Sequence, residues 1–280
     1  MSTKNRGASQ KRKKGSEQQT SEAERSEKPN RRRLKVASIA VASCLIILSI
    51  SLFLWTSFTT SPHPPQQMDV GVPRAAILDA LYAGSQDLAY EQNLTNYLSI
   101  AGYSVDVFRG ENVTISLLEN IGGYKVLILR LHSAIGSGGG AFLYLFSGEK
   151  YTPSKYVQEQ LSGAVREGIT FENVSYFALN AVFLGGNNQT GLKDSTIILM
   201  GCNGTGSSYS IQRILDKGVK AYIAWSGYVD LSYSDETTLA LVKALYLEKS
   251  SVQAAVEEAM KEVGTEPAYN SVLECYPPNA

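Results

Sequence analysis

Between residues 74 and 264, short apolar runs rich in Val, Ile and Leu alternate with stretches of helical periodicity. Nearly continuous apolar runs are typical of strands buried on both faces, and the helical stretches supply the connections between parallel strands. The pattern therefore predicts an α/β fold with a mostly parallel sheet. The predicted strands are Ala75–Leu81, Ser104–Phe108, Lys125–His132, Thr196–Cys202 and Val219–Ser226, and the predicted helices lie near Leu88–Ile100, Ile115–Ile121 and Ser210–Lys217, with two more around the apolar stripes that begin at Leu239 and Val252.

The pattern is weaker between Ser133 and Lys193. This stretch predicts a hairpin in AFLYLFSGEKY (Ala141–Tyr151), a helix near Ser154–Glu167 and a strand at Phe177–Phe183. After Gly264 the chain reads as a loop that ends in Pro-Pro, so residues 265–280 are assigned to a C-terminal tail.

A long uncharged segment precedes the α/β region. Val36–Trp55 holds 20 residues, enough to span about 30 Å as a helix, and a basic leader of more than 30 residues comes before it. A cleaved signal peptide would have a shorter apolar stretch and a small-residue cleavage site, so one uncleaved anchor is predicted. The predicted organisation is a disordered basic cytoplasmic segment (1–33), a transmembrane helix (34–58), a linker (59–73) and a folded domain (74–264).

The distribution of charge orients this anchor. The chain has 26 Lys/Arg and 26 Asp/Glu, but residues 1–35 carry a balance of +8 and the remainder a balance of −8. The positive-inside rule places the N-terminus in the cytoplasm and the acidic domain outside the cell, at the cell membrane. The neutral overall charge argues against a nucleic-acid partner, and the basic cluster KRKK (Lys11–Lys14) is interpreted as a topology signal because it lies near the predicted anchor. Five N-x-S/T sequons after the anchor favour an extracytoplasmic glycoprotein and begin at Asn93, Asn112, Asn173, Asn188 and Asn203.

Two predicted strands end in residues that can perform covalent chemistry. Ligands of open parallel sheets collect beyond the carboxyl ends of the strands, where His132 and Cys202 are expected. A thiol attacks a carbonyl while an imidazole moves the proton, and the backbone N–H groups of Ser133 and Cys202 would form the oxyanion hole. Two alternatives stay open, namely that His132 and Cys202 are structural core residues or that Cys202 forms a disulfide with Cys275.

The motifs around these residues resemble those of the caspase-like cysteine peptidases, which include gingipains, clostripain, separase and CHAT domains. LILRLHS ends at His132–Ser133, IILMGCNGTG surrounds Cys202, and KGVKAYIAWSGYVD followed by SVQAAVEEAM is similar to the CHAT and gingipain pattern. The resemblance covers about residues 74–263. It implies a three-layer sandwich and a His132/Cys202 dyad in which Cys202 forms a thioester. Two residues depart from the family, because Ser133 replaces a Gly and Gly201 replaces an Ala.

Three acidic residues follow the strand that ends at Ser226. In relatives this region helps to build the pocket for the residue before the scissile bond, so Asp230, Asp235 and Glu236 suggest recognition of Arg or Lys. A solvated acidic loop is the alternative interpretation of the same residues.

Other chemistries find little support in the sequence. SAIGSGGGAF lacks the Gly-Lys-Ser/Thr of a phosphate loop, and Met200 occupies the first Gly position of an amidotransferase elbow. His and Cys are too few for a metal cluster, and no cofactor is expected. The sequence predicts a membrane-anchored extracytoplasmic cysteine peptidase acting on a protein or peptide, with a catalytically inactive binding module as the alternative.

Overall fold

Two β-sheets organise the part of the chain that the structure describes, which is residues 71–136, 141–188 and 191–278 of a computed structural model. The strands are β1 (Arg74–Asp79), β2 (Ser104–Arg109), β3 (Val126–Arg130), β4 (Ser133–Ile135), β5 (Leu143–Lys150), β6 (Val165–Ile169), β7 (Ser175–Asn180), β8 (Thr196–Leu199), β9 (Ala221–Trp225) and β10 (Leu273–Tyr276).

The larger sheet has the strand order β2-β1-β3-β8-β9-β10. Every neighbouring pair is parallel except β9 and β10, which are antiparallel. All residues of β3, β8 and β9 are buried, which explains their continuous apolar sequences. The prediction of an α/β fold with a mostly parallel sheet is confirmed.

Helices cover this sheet unevenly. They are α1 (Leu88–Ile100), α2 (Ile115–Asn120), α3 (Val157–Ser162), α4 (Ser208–Leu215), α5 (Leu231–Tyr246) and α6 (Val252–Val263). Successive residues of β3 alternate between the two faces, so Val126 and Ile128 pack with α1, α5 and α6. Leu127 and Leu129 pack instead with α2, α4 and the smaller sheet. The smaller sheet therefore replaces part of the helical layer on one side.

The smaller sheet lies in the sequence between β3 and β8 and has the antiparallel order β4-β5-β7-β6. Two predictions for this stretch were wrong. The predicted hairpin at 141–151 is the single strand β5, and the predicted helix at 154–167 ends at Ser162. Gly163 adopts a φ of 76°, a left-handed conformation that ends the helix, and β6 follows directly.

The predicted loop after Gly264 also contains a strand. In β10, Leu273 and Cys275 are buried and alternate with more exposed residues, and the strand pairs with β9 at the edge of the larger sheet. The predicted anchor at 34–58 lies outside the described residues. Within the described ranges, no helix is long and apolar enough to cross a bilayer.

Candidate active site

Strand register brings His132 and Cys202 to equivalent positions at one edge of the sheet. The parallel strands β3 and β8 are neighbours, and Leu129 is paired with Leu199. His132 and Cys202 each follow three residues after that pair. Both line one cavity of about 580 Å³, which we call the cysteine cavity. The pairing of β3 with β8 thus brings together His132 and Cys202, which are 70 residues apart in the sequence.

This cavity lies where the order in which strands are added to the sheet changes direction. From β1 the chain adds β2 on one side and β3 on the other, so the carboxyl ends of β1 and β3 flank a switch point. The loop after β1 contributes Ala80, Leu81 and Gly84 to the cavity wall. His132 and Cys202 themselves lie beyond the carboxyl ends of β3 and β8, which end at Arg130 and Leu199.

The two residues that depart from the caspase-like pattern are in contact with each other. The Ser133 hydroxyl donates a hydrogen bond of 2.6 Å to the Cys202 carbonyl oxygen. A Cβ added to Gly201 would lie 2.2 Å from Ser133 Oγ and 2.6 Å from the Leu131 carbonyl oxygen. The Ser133 side chain and the Leu131 carbonyl together occupy the space that a side chain at position 201 would need.

The backbone N–H group of Ser133 lies outside the β4–β5 hydrogen-bond ladder, but Ser133 is buried and, unlike Cys202, does not line the cysteine cavity. The Phe146 N–H donates to the His132 carbonyl at 2.8 Å, so His132 and Phe146 form the hydrogen-bonded pair of the β4–β5 ladder. The next pair, Ser133 with Leu145, is therefore a non-hydrogen-bonded pair, and the Ser133 N–H points away from β5. Within the described residues, the Cys202 N–H has no backbone acceptor.

Burial shifts the pKa values of the His132 imidazole and the Cys202 thiol toward their neutral forms. It lowers the pKa of His132, and the negative charge of Glu172 only partly opposes this effect. Burial raises the pKa of the Cys202 thiol, whose sulfur lies 4.0 Å from the Val229 carbonyl oxygen. Among the described residues, no hydrogen bond joins the His132 ring to the Cys202 sulfur. Both pKa shifts favour an imidazole and a thiol over an imidazolium–thiolate pair.

The buried carboxylate of Glu266 also favours the neutral form of the Cys202 thiol. Burial alone would raise the pKa of Glu266, but backbone N–H groups that donate to it, led by that of Tyr269, lower it. One of these donors is the Asp230 N–H, at 3.3 Å. The resulting negative charge raises the pKa of Cys202 further. Glu266 also ties the loop that carries Asp230 to the tail that carries Tyr269.

The three acidic residues expected in a substrate pocket have separate surroundings. Asp230 caps α5, because its carboxylate accepts from the N–H groups of Ser232 and Tyr233 at 3.0 and 3.2 Å. Of the three acids, only Asp230 lines the cysteine cavity. Asp235 and the exposed Glu236 line a neighbouring cavity of about 570 Å³, which we call the arginine cavity because Arg130 also lines it.

Arg130 forms a buried ionic cluster with two carboxylates, which the sequence reasoning did not identify. Its side chain is 1% exposed. Nε and Nη2 each lie 2.9 Å from an oxygen of Asp235, and Nη1 lies 2.9 and 3.1 Å from the two oxygens of Asp79. Burial raises the pKa of both carboxyl groups, and the positive charge of Arg130 opposes that shift. The available signal was an Arg inside the apolar run LILRLH.

The disulfide alternative is not formed in this structure. Cys202 and Cys275 are both free thiols. Cys275 lies on β10 and its sulfur is 3.1 Å from the side-chain oxygen of Gln253 on α6, whereas Cys202 faces the cavity. The described residues contain no group of three or more His, Cys, Asp or Glu that could hold a metal ion.

No family model matches the chain, and no curated protein is significantly similar to it.

Proposed function

We propose that the chain is a membrane-anchored cysteine peptidase of the caspase-like class, with Cys202 as nucleophile and His132 as proton carrier. The observation that carries the proposal is the register of β3 and β8, which places both residues in one cavity at the switch point of the sheet. The anchor and the extracytoplasmic location of the domain rest on the sequence of residues 1–73 and belong to the same proposal.

Because burial favours the neutral forms of both groups, the thiol proton is transferred while the new sulfur–carbon bond forms. The His132 imidazole takes the thiol proton as the Cys202 sulfur bonds to the substrate carbonyl carbon, and the carbonyl oxygen becomes an oxyanion. The N–H groups of Ser133 and Cys202 would stabilise that oxyanion. His132 then gives its proton to the leaving amine as the C–N bond breaks, and water hydrolyses the thioester, which restores the thiol.

The preference for Arg or Lys stays a prediction. Asp230, Glu111 and Glu172 line the cysteine cavity together with Lys150, so acidic groups outnumber basic ones there. Such a cavity favours cationic over acidic substrates. The pairing of Asp235 with Arg130 leaves Asp230 as the acid best placed to contribute.

A catalytically inactive binding module on the same fold is the second candidate. It is favoured by the raised pKa of the Cys202 thiol, which lowers the thiolate fraction at neutral pH. Both candidates use the same cavity, and they differ in whether a covalent bond forms at Cys202.

Labelling by an electrophilic peptide probe separates these candidates. The full-length chain should react with a peptidyl acyloxymethyl ketone and cleave fluorogenic peptides, and Cys202→Ala should lower cleavage at least about 10³-fold. His132→Gln should lower cleavage by about 10²-fold or more, because the proton carrier is lost.

Cys275→Ala is the matched control, since it removes the other described thiol without touching the cavity. It should retain labelling and cleavage. Labelling that persists in Cys202→Ala and disappears in Cys275→Ala would overturn the assignment of the nucleophile. A chain that neither labels nor cleaves, while binding peptides, would favour the inactive module.

A further inference from the structure

Three exposed aromatic rings stand at the wall of the cysteine cavity. Phe171, Tyr228 and Tyr269 are 83%, 47% and 56% exposed, and all three line the cavity. The ring centroids of Phe171 and Tyr228 lie 5.8 Å apart, and those of Tyr228 and Tyr269 lie 5.7 Å apart. We call this row the aromatic rim. Rings of this size are usually well covered, so their exposure together indicates a binding surface.

The rim is assembled from three distant segments. Phe171 lies in the turn between β6 and β7, Tyr228 in the loop between β9 and α5, and Tyr269 in the tail before β10. No helical or strand periodicity links these positions, so the sequence offered no signal for their proximity. Their contact depends wholly on the tertiary structure.

Hydrogen bonds hold the two tyrosine-bearing segments together. The Gly227 N–H donates to Ser271 Oγ at 2.9 Å, and the Ser226 N–H donates to the Val272 carbonyl at 2.9 Å. The Glu266 carboxylate accepts from backbone N–H groups of both segments. A binding surface held in this way loses little conformational freedom when a ligand arrives.

We propose that the aromatic rim binds a large apolar side chain, aromatic or long aliphatic, of the peptide whose carbonyl Cys202 attacks. This inference rests on the proposed function for its position beside the scissile bond. The rim shares one cavity with Cys202, so a side chain on the rim and a carbonyl at the sulfur belong to the same short peptide. Burying such a side chain against the rings supplies affinity without using the acidic groups of the cavity.

The geometry of the rings favours a side chain over a sugar. Neighbouring planes are inclined by 54° and 49°, so the rim has no single flat face on which a pyranose ring could stack across several residues. Inclined rings instead offer faces and edges in different directions, which suits contact with one compact apolar side chain. The experiment includes oligosaccharides, so that binding of a sugar would be detected.

Peptides that differ at one position test the inference. The full-length chain is assayed with fluorogenic peptides of fixed sequence in which each position in turn carries Phe, Leu, Ala or Glu. We expect kcat/KM at one position to be at least about tenfold higher for Phe or Leu than for Ala. Tyr228→Ala and Phe171→Ala should each remove most of that preference, mainly through KM, while Tyr228→Phe should retain it because the ring remains.

Tyr209→Ala is the matched control, because Tyr209 is 55% exposed and touches Phe142, yet does not line the cavity. It should leave the preference unchanged. A second readout avoids dependence on cleavage, since the Cys202→Ala chain can be titrated with the same labelled peptides by fluorescence anisotropy. The Phe peptide should bind about tenfold more tightly than the Ala peptide.

The two readouts distinguish the inference from the proposed function. Cleavage that does not depend on the side chain would overturn the inference that the aromatic rim binds it, while the proposed peptidase function would be retained. Selective binding of the Phe peptide by a chain that never cleaves supports the rim and overturns the peptidase. Binding of maltohexaose or chitohexaose that requires Phe171, with no side-chain preference among the peptides, also overturns the inference.

Discussion

The cysteine cavity and the arginine cavity share a wall and have almost the same volume, yet their buried polar groups differ in whether they form ion pairs. Ser85, Asp230 and Leu231 line both cavities. In the arginine cavity all three guanidinium nitrogens of Arg130 bond to carboxylate oxygens. In the cysteine cavity, burial shifts the pKa values of His132 and Cys202 toward their neutral forms. The buried charges of the arginine cavity are thus paired with one another, whereas within the described residues neither His132 nor Cys202 forms an ion pair.

The strongest test of this contrast removes the central charge of the arginine cavity. Arg130→Met leaves Asp79 and Asp235 buried without their partner, which should lower the free energy of unfolding by about 3–5 kcal/mol. Urea unfolding followed by circular dichroism measures the change. Arg213→Met is the matched control, because Arg213 pairs with Asp216 at 3.2 Å on the surface, where about 0–1 kcal/mol is expected. Equal effects for the two variants would show that the cluster does not stabilise the fold.

The wall of the cysteine cavity can be tested with a double-mutant cycle. Gly201→Ala forces a Cβ against Ser133 Oγ and the Leu131 carbonyl, and should cost about 2 kcal/mol of stability. In the Ser133→Gly background the same change should cost about 1 kcal/mol less, because one of the two clashes is gone. Gly84→Ala serves as control, since a Cβ there meets nothing within 4 Å. Additive effects would show that the Ser133 side chain does not restrict the space at position 201.

Substitutions of Asp230, which lines both cavities, should have the smallest effect on stability. They also separate a structural role of this residue from a role in substrate recognition. Asp230→Ala removes the cap of α5 and should cost about 1 kcal/mol. Asp230→Asn keeps a capping oxygen and should leave stability nearly unchanged while removing the charge. If Asp230 contributes to recognition of Arg or Lys, the Asn variant should lower kcat/KM for basic peptides relative to neutral ones. A ratio that does not change would limit Asp230 to its role as a cap.

The sequence predicted those features that depend on local pattern or on the edge of a parallel sheet. Continuous apolar runs identified β3, β8 and β9, and their ends located His132 and Cys202. The helix predicted through Glu167 failed because Gly163 ends it in a left-handed conformation, and β10 escaped notice because it is only four residues long. The pairing of Arg130 with Asp79 and Asp235 joins elements far apart in the chain, so no local pattern could reveal it.

The insertion of the smaller sheet between β3 and β8 has an evolutionary consequence. Because β3 and β8 pair directly, the length of the chain between them does not set the spacing of His132 and Cys202. Each doubling of a loop costs only about 0.6 kcal/mol of closure entropy, so the exposed turns of this segment can change in length at little expense in stability, provided that the strands packed against Leu127 and Leu129 are kept. Phe171 lies within that segment, whereas Cys202 lies outside it. The turn that carries Phe171 can therefore change while the strand pairing that aligns His132 with Cys202 is kept.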